Sequence, residues 1–255
     1  MMHLIDSHCH LDFEQFDIDR EQILSHCQKL GVRDIVVPGV EASLWNKLID
    51  VCHDVGALHP ALGLHPMFMA HHQPEHLLQL KEAIANHSLI AIGEIGLDFY
   101  VQDHDKYAQI DLFSEQLIIA QNTQLPVLLH VRKAHDQTIG LLKKYPVRGG
   151  IVHAFNGSMQ QAEQYQQLGF VFGVGGAITH PRATKLKSLF SELPLASIVL
   201  ETDAPDMPLS GMQDQRNTPE NIPSILAALA STRIESSQDI ALVTTHNCQR
   251  VLSLQ

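Results

Sequence analysis

The strongest constraint on the fold is an alternation, repeated eight times, of a short apolar run with a longer segment of helical periodicity. The apolar runs are rich in Val, Ile and Leu, as in DIVVP, LIAIGEIGL, PVLLHV and SIVLE. The segments between them, such as DREQILSHCQKLG and PEHLLQLKEAIANH, carry apolar residues at helical spacing. A last helical segment, SQDIALVTTHNCQRVL, follows the eighth unit. Strands that alternate with helices pair in parallel, so the pattern predicts a parallel α/β sheet.

Eight strand–helix units predict a TIM-type (β/α)8 barrel. The 255 residues divided among eight units leave about 32 residues for each, and barrels of this type usually contain ~250 residues. An open, doubly wound sheet is the alternative. That fold usually has a glycine-rich phosphate-binding turn after its first strand, and the corresponding segment HCHLDFEQF has no glycine. In the absence of any linker or low-complexity tract, we expect a single barrel domain spanning residues 1–255.

Composition restricts the location and the partners that we expect. No N-terminal stretch resembles a signal peptide, and no apolar run approaches the ~20 residues that a membrane-spanning helix needs. The four cysteines form no CxxC pair, which is typical of reduced thiols in the cytoplasm. We therefore expect a cytoplasmic protein with no membrane association and no obligatory protein partner. The net charge of −11 argues against extensive contacts with duplex phosphates.

Polar residues follow the apolar runs at the ends where barrels of this type carry their active sites. Buried polar groups cost free energy unless they have partners, so a set of them at one end of a barrel indicates a shared partner. Five strand ends supply six candidate metal ligands, namely His8, His10, Glu94, His130, His153 and Asp203.

Four imidazoles and two carboxylates are too many for one tetrahedral ion and suit two divalent cations, either zinc, manganese or magnesium. We predict that Glu94 bridges two groups, of which one is His8, His10 and Asp203 and the other is His130 and His153. Two ions ~3.5–4 Å apart activate a shared water and stabilise in-line displacement at phosphorus. Glu94 and Asp203 are therefore the predicted catalytic residues, and Asp203 is predicted to accept the proton of the attacking water.

Strict alternation along the first strand predicts that Asp6 points into the barrel below His8 and His10, and that Cys9 points outward under a helix. Asp6 and Glu201 are either hydrogen-bond acceptors for metal-bound imidazoles or salt-bridged residues of the barrel floor.

Three further polar residues lie near the same strand ends. Two of them have two interpretations each, and the third has one. Arg132 either grips a substrate phosphate in bidentate fashion or pairs with an acid at the rim. His65 either contacts the substrate or packs within the third strand unit. Asp98 is expected to cap the loop after the fourth strand.

Several segments along nearly the whole chain resemble, in order and spacing, the TatD family of metal-dependent hydrolases. They are IDSHCHLD, ALGLHP, IGEIGLDFY, LPVLLHVR, VHAFNGS and ETDAP, and the continuation PDMPLSGMQDQRNTPENIP resembles the YjjV-type branch. The resemblance implies a TIM-like barrel, a two-metal site whose ligands match the six residues above, and hydrolysis. In better-described relatives it implies deoxyribonuclease activity, often on single strands. This chain has Ala154 where the family often has Cys or Gly.

The leading hypothesis is a divalent-metal-dependent hydrolase of ester bonds, a deoxyribonuclease that cleaves phosphodiester bonds through a water activated by two metals. Its substrate would be DNA, as single strands or strand ends. The acidic net charge does not exclude this substrate, because an enzyme that reads only a strand end needs few phosphate contacts. The alternative is a metal-dependent hydrolase of a small ester, lactone, amide or phosphoester, which the acidic composition favours. A barrel that only binds a metabolite or partner would not need the full ligand set.

Overall fold

The computed structural model describes residues 2–101 and 105–254. Eight strands form one parallel sheet in which each strand pairs with the next along the chain. They are β1 (Leu4–Asp6), β2 (Val32–Pro38), β3 (Leu58–Leu62), β4 (Ala91–Asp98), β5 (Val127–Arg132), β6 (Gly150–Val152), β7 (Phe170–Val174) and β8 (Ile198–Leu200).

Helices connect the strands and cover the outside of the sheet. They are α1 (Arg20–Leu30), α2 (Trp45–Cys52), α3 (Glu75–Asn86), α4 (Lys106–Thr123), α5 (His135–Lys144), α6 (Met159–Gln167), α7 (Thr184–Glu192), α8 (Ile222–Ala230) and α9 (Ser237–Leu252). Short 3-10 turns lie in several of the connecting loops. Within the described ranges, no helix combines the length and apolar character needed to cross a membrane.

The first and eighth strands meet just beyond their regular ends and nearly close the sheet into a barrel. Cys9 pairs in parallel with Ala204, and the amide of Asp203 donates to the carbonyl of His8 at 2.8 Å. The predicted (β/α)8 barrel is therefore confirmed, and the doubly wound alternative is wrong because the strand order never reverses. Cys9 is fully buried in the apolar layer between strands and helices, as predicted.

Apolar side chains fill the barrel interior at the end opposite the polar strand ends. Each strand contributes one residue to this cluster, namely Ile5, Val36, Ala61, Ala91, Leu128, Ile151, Val171 and Val199. Val251 and Leu252 of α9 belong to the same cluster, so the last helix plugs that end. Only the end with the carboxyl termini of the strands is left for polar groups.

Asp6 was predicted to point into the barrel, and this prediction is wrong. Strand β1 ends at Asp6 and the chain bends at Ser7, so the regular alternation of side chains stops there. Ile5 occupies the interior position instead. The Asp6 carboxylate accepts hydrogen bonds from Thr202 Oγ1 at 2.5 Å, Thr202 N at 3.0 Å and His8 N at 3.2 Å. Both interpretations of Asp6 are thus wrong, since it contacts the backbone of His8, not its imidazole, and forms no ion pair among the described residues. Asp6 fastens β1 to the segment after β8.

Substitution of Thr202 tests the importance of this fastening. Burial raises the pKa of Asp6 to about 8, and Thr202 is itself fully buried. We expect Thr202→Val to lower the free energy of unfolding by about 1–3 kcal/mol, because it leaves a buried carboxyl oxygen without its hydroxyl partner. Thr202→Ser keeps the hydroxyl and is the control. Equal urea-unfolding midpoints for the two variants would contradict the role assigned to Asp6.

Candidate metal centre

The Glu94 carboxylate lies at the centre of the polar end of the barrel, and one of its oxygens faces a first group of side chains. Glu94 Oε2 lies 3.0 Å from His8 Nε2 and 3.6 Å from His10 Nε2. Asp203 Oδ1 lies 3.6 Å from each of the same two imidazole nitrogens. The ligand atoms of His8, His10 and Asp203 all lie within 4.8 Å of one another, as one ion would require.

The other oxygen of Glu94 faces a second group. Glu94 Oε1 lies 3.1 Å from His130 Nδ1, 3.3 Å from His153 Nε2 and 3.3 Å from His65 Nε2. The structure thus brings together all six residues predicted as ligands, with Glu94 between the other five. It also adds His65, for which the sequence left open a substrate contact or packing within the third strand unit.

Glycines in β4 allow the strands around Glu94 to approach closely. Gly96 has a φ of +144°, and a Cβ there would lie 2.0 Å from the carbonyl oxygen of His130 on β5. At Gly93 a Cβ would lie 2.5 Å from that of Leu128. The pairing of β4 with β5 shifts register in this stretch. The sequence GEIG therefore turns the Glu94 side chain into the barrel between its neighbours.

Burial lowers the pKa of some side chains in this centre and raises the pKa of others. Burial lowers the pKa of His8 to about 3, so its imidazole stays neutral with a lone pair available. Burial raises the pKa of Asp203 to about 6. Asp203 is nevertheless the more open of the two carboxylates, with 16% of its side chain exposed against 2% for Glu94.

Glu94 is ionised in spite of its burial. Burial disfavours the carboxylate, yet the charges that His65, His8 and His153 carry when protonated, together with a hydrogen bond to His130, hold the pKa of Glu94 well below its ordinary value. Near neutral pH the charged members of this set are His130 and His153. Burial likewise disfavours a charged His153, but Glu94 and Asp203 raise the pKa of His153 to about 10. In the absence of a metal, protons on imidazoles therefore supply the positive charge that the buried carboxylate requires.

In two of the imidazoles, the ring nitrogen that points away from Glu94 donates a hydrogen bond. This bond shows that the other ring nitrogen presents a lone pair to the centre. His10 Nδ1 donates to the carbonyl of Pro38 at 3.1 Å, and His130 Nε2 donates to Asp98 Oδ2 at 2.9 Å. These bonds leave His10 Nε2 and His130 Nδ1 free to bind a cation. His8 Nδ1 is buried without a hydrogen-bond partner among the described residues.

Glu201 lies behind His153. Its Oε1 is 3.6 Å from His153 Nδ1, slightly longer than a hydrogen bond, and accepts a 2.6 Å bond from the amide of Ala154. Of the two interpretations of Glu201, this contact favours the acceptor behind an imidazole. Ala154 adopts a φ of +45°, a conformation that glycine adopts more readily than residues with a side chain.

His65 has the opposite arrangement, although its distance to Glu94 is similar. Its Nδ1 accepts a hydrogen bond from the amide of Met67 at 3.1 Å, so the proton of the neutral ring is on Nε2. Burial lowers the pKa of His65 to about 4, which keeps the ring neutral. His65 therefore presents an N–H, not a lone pair, to the centre. It suits a hydrogen bond to a substrate oxygen better than a metal ion.

Asp98 has a role that sequence reasoning missed. It caps the loop after β4 as predicted, since its Oδ1 accepts from the amide of Tyr100 at 2.9 Å. Its second oxygen orients His130. The register of two adjacent strands could have revealed this second role. Gly96 of β4 lies opposite His130 of β5, and Asp98 lies two residues further along β4, within reach of the His130 ring.

Arg132 lies at the rim, and none of the arginine–carboxylate ion pairs among the described residues involves it. Its guanidinium carbon lies 3.8 Å from the ring centroid of Tyr100, and both side chains are exposed. Arg132 also lines a cavity of about 380 Å³ together with His130, His153 and Asp203. A cation on the wall of a cavity beside the centre remains available to a phosphate.

These residues fit divalent cations. Neutral imidazoles with outward-directed N–H groups, together with two carboxylates, are the donors that zinc and manganese sites use. The ligand atoms of His8, Glu94 and His153, and separately those of His65, Glu94 and His130, also cluster within 4.8 Å. Glu94 is the carboxylate that these two groups share.

Cation binding should release protons from this centre. Asp98 and Glu94 raise the pKa of His130 against the effect of burial, and His153 is also protonated at neutral pH without metal. We expect metal binding near pH 7 to release about one to two protons per chain, measured by calorimetric titration of the metal-free protein in buffers of different ionisation enthalpy. Acidification should reverse binding. A binding heat that does not depend on the buffer would contradict this account.

Asp98→Asn should weaken metal binding while preserving the loop cap. The amide keeps an oxygen for the Tyr100 amide but presents an NH₂ group to His130, which favours the wrong tautomer for ligation. We expect a loss of about 10–100-fold in metal affinity, measured by competition with a chelator. Asp105→Asn, at the exposed N-cap of α4, is the matched control. Equal affinities for the two variants would remove Asp98 from the centre.

Comparisons with known proteins identify the family of this chain. The model of the family described as "TatD related DNase" matches residues 5–253. The metal-dependent hydrolase YjjV of Escherichia coli K12 is 43% identical over 95% of each chain, and a crystal structure of E. coli YjjV matches with a TM-score of 0.96 over 99% of this chain and 98% of that one, at 42% identity. The 3'-5' ssDNA/RNA exonuclease TatD of a Rahnella species is 30% identical over 96% of each chain. The chain therefore belongs to the TatD family of metal-dependent hydrolases.

Proposed function

We propose that this hydrolase is a deoxyribonuclease that cleaves phosphodiester bonds at DNA strand ends with two divalent cations. The observation that carries the proposal is the position of the Glu94 carboxylate between two groups of imidazoles. One cation would be held by His8, His10, Asp203 and Glu94, and the other by His130, His153 and Glu94. Two bound cations supply Lewis acidity at a phosphoryl group and lower the pKa of a water molecule.

Asp203 is the residue best placed to accept a proton from the attacking water. It lines the cavity, whereas Glu94 is more deeply enclosed. The proton would pass from the water to Asp203 as the water oxygen attacks phosphorus. The bond from phosphorus to the leaving sugar oxygen would then break, and that oxygen would take up a proton from Asp203 or from solvent to leave as the alcohol.

Two further side chains would hold the phosphodiester. His65 presents its Nε2–H to the centre because the Met67 amide occupies its other nitrogen, so it can donate to a phosphoryl oxygen. Arg132 projects a guanidinium at the cavity wall, a geometry that matches two phosphate oxygens at once. Together they supply hydrogen-bond donors on two sides of the group that reacts.

The acidic composition favours the second candidate, hydrolysis of a small ester, lactone, amide or phosphoester. The cavity of about 380 Å³ also lies in the size range of small-molecule sites. A strand end needs few phosphate contacts, however, and the exonuclease activity in the name of the Rahnella relative supports a nucleic-acid substrate. Both candidates use the same centre and differ only in the group presented to it.

A nuclease assay on single-stranded oligonucleotides with Mg²⁺, Mn²⁺ or Zn²⁺ tests the proposal. We expect at least one metal to support cleavage, and His130→Ala to reduce the rate by more than about a hundredfold because it removes a ligand. His87→Ala, an exposed histidine outside the centre, should leave the rate unchanged. Cleavage that survives His130→Ala, or hydrolysis confined to small esters in the same preparation, would refute the deoxyribonuclease activity.

A further inference from the structure

A chain of hydrogen bonds runs from the helical layer to the cavity beside the metal centre and ends at the side-chain amide of Asn156. Asn156 lies on the loop between β6 and α6, and it lines the cavity of about 380 Å³ together with His130, His153 and Asp203. It is exposed. This amide belongs neither to the six predicted ligands nor to the side chains assigned above to the phosphodiester.

The imidazole of His135 holds this amide from behind. Asn156 Oδ1 lies 3.2 Å from His135 Nε2. An amide oxygen can only accept a hydrogen bond, so the proton of the His135 ring lies on Nε2. Burial lowers the pKa of His135, so the ring is neutral and its other nitrogen, Nδ1, carries no proton.

The hydroxyl of Tyr165 supplies the donor that this second ring nitrogen needs. Tyr165 is fully buried on α6, and its hydroxyl oxygen lies 3.3 Å from His135 Nδ1. The same hydroxyl lies 3.4 Å from the His135 carbonyl, which belongs to the first turn of α5 and accepts within the helix. An edge contact with Phe155, with ring centroids 5.4 Å apart, supports the His135 ring from the side. A buried hydroxyl therefore sets the tautomer of His135.

The loop that carries Asn156 is fixed on its other side by a capping box at the start of α6. Ser158 Oγ accepts from the Gln161 amide at 3.2 Å, and Gln161 Oε1 accepts from the Ser158 amide at 2.9 Å. Gln161 Nε2 also donates to Asp136 Oδ1 at 2.8 Å, which ties α6 to the first turn of α5. A side chain on such a loop loses little conformational freedom when a ligand binds.

The two ends of the Asn156 amide have opposite chemistry. Since His135 occupies Oδ1, the NH₂ group is the end that is left to face the cavity. An NH₂ group can only donate, so its complement on a ligand is an acceptor such as a phosphoryl oxygen. Arg132 lines the same cavity from the end of β5, so donors from two different elements surround one space beside the centre.

We propose, on the basis of the phosphodiester cleavage proposed above, that Asn156 binds the substrate by donating its amide N–H to a phosphoryl oxygen, and that His135 and Tyr165 are positioning residues that hold the amide in this orientation. The other tautomer of His135 would turn Oδ1 of Asn156 towards the cavity, where it would repel the same oxygen. The buried pair thus decides that this wall selects an acceptor.

Inorganic phosphate tests the inference, because its oxygens resemble those of the substrate and its binding needs no turnover. We measure its dissociation constant for the metal-loaded protein by calorimetric titration and the metal content of each variant. Asn156→Ala should weaken phosphate binding about tenfold or more, since a hydrogen bond to a charged group is lost. Asn156→Asp should weaken it further despite its similar shape, because it presents an oxygen. Asn86→Ala, at the exposed end of α3, is the control and should bind phosphate as the wild type does.

Substitutions behind the amide test the positioning role. His135→Phe keeps a ring but removes both nitrogens, and we expect it to weaken phosphate binding about as much as Asn156→Ala. His135→Gln keeps a donor near the position of Nε2 and should restore most of the affinity. His135→Phe added to Asn156→Ala should cause no further loss, because His135 acts through the amide. Additive losses would show that His135 only supports the fold and would contradict its positioning role.

Three results would overturn the inference. They are wild-type phosphate affinity in Asn156→Ala, loss of metal in that variant instead of loss of phosphate, and a metal-loaded wild type that binds no phosphate. The proposed deoxyribonuclease activity fails on different evidence. Phosphate binding that depends on Asn156, in a protein that cleaves no oligonucleotide, would support the inference and refute that activity.

Discussion

The buried carboxylate of Glu94 is the interaction on which the rest of the centre depends. A carboxylate that is almost completely enclosed in a barrel is costly unless opposite charge surrounds it, and here imidazoles from four different strand ends face its two oxygens. The plug of apolar residues at the opposite end of the barrel leaves this as the only polar interior among the described residues. Protons or cations must therefore compensate Glu94, and both occupy the same imidazole nitrogens.

Distance to Glu94 does not distinguish a ligand from a donor in this centre. His65 and His153 are each 3.3 Å from the same carboxylate oxygen. What differs is the group behind each ring, because an amide donor behind His65 fixes its proton toward the centre, while acceptors behind His10 and His130 fix theirs away from it. The chemistry of each histidine is thus decided by a neighbour that is itself not part of the centre.

Much of this could be predicted from the sequence, because the barrel follows from the alternation of strands and helices. The order of the strands then places the ends that carry His8, Glu94, His130, His153 and Asp203 at one mouth. Prediction failed where regular alternation stops. Asp6 turned outward because β1 has only three residues. The second role of Asp98 and the cavity depend on contacts between loops that have no periodic signal.

The net charge of −11 describes the whole chain, whereas a substrate meets only the mouth of the barrel. On the proposed two-ion centre, the bound cations outweigh the two carboxylates that hold them, because bound ions are the largest local charges in such a site. Arg132 adds to this charge on the cavity wall. An anionic strand end is then attracted at short range and repelled elsewhere. Such a field would disfavour binding along the length of a duplex and favour entry of an end at the mouth of the barrel.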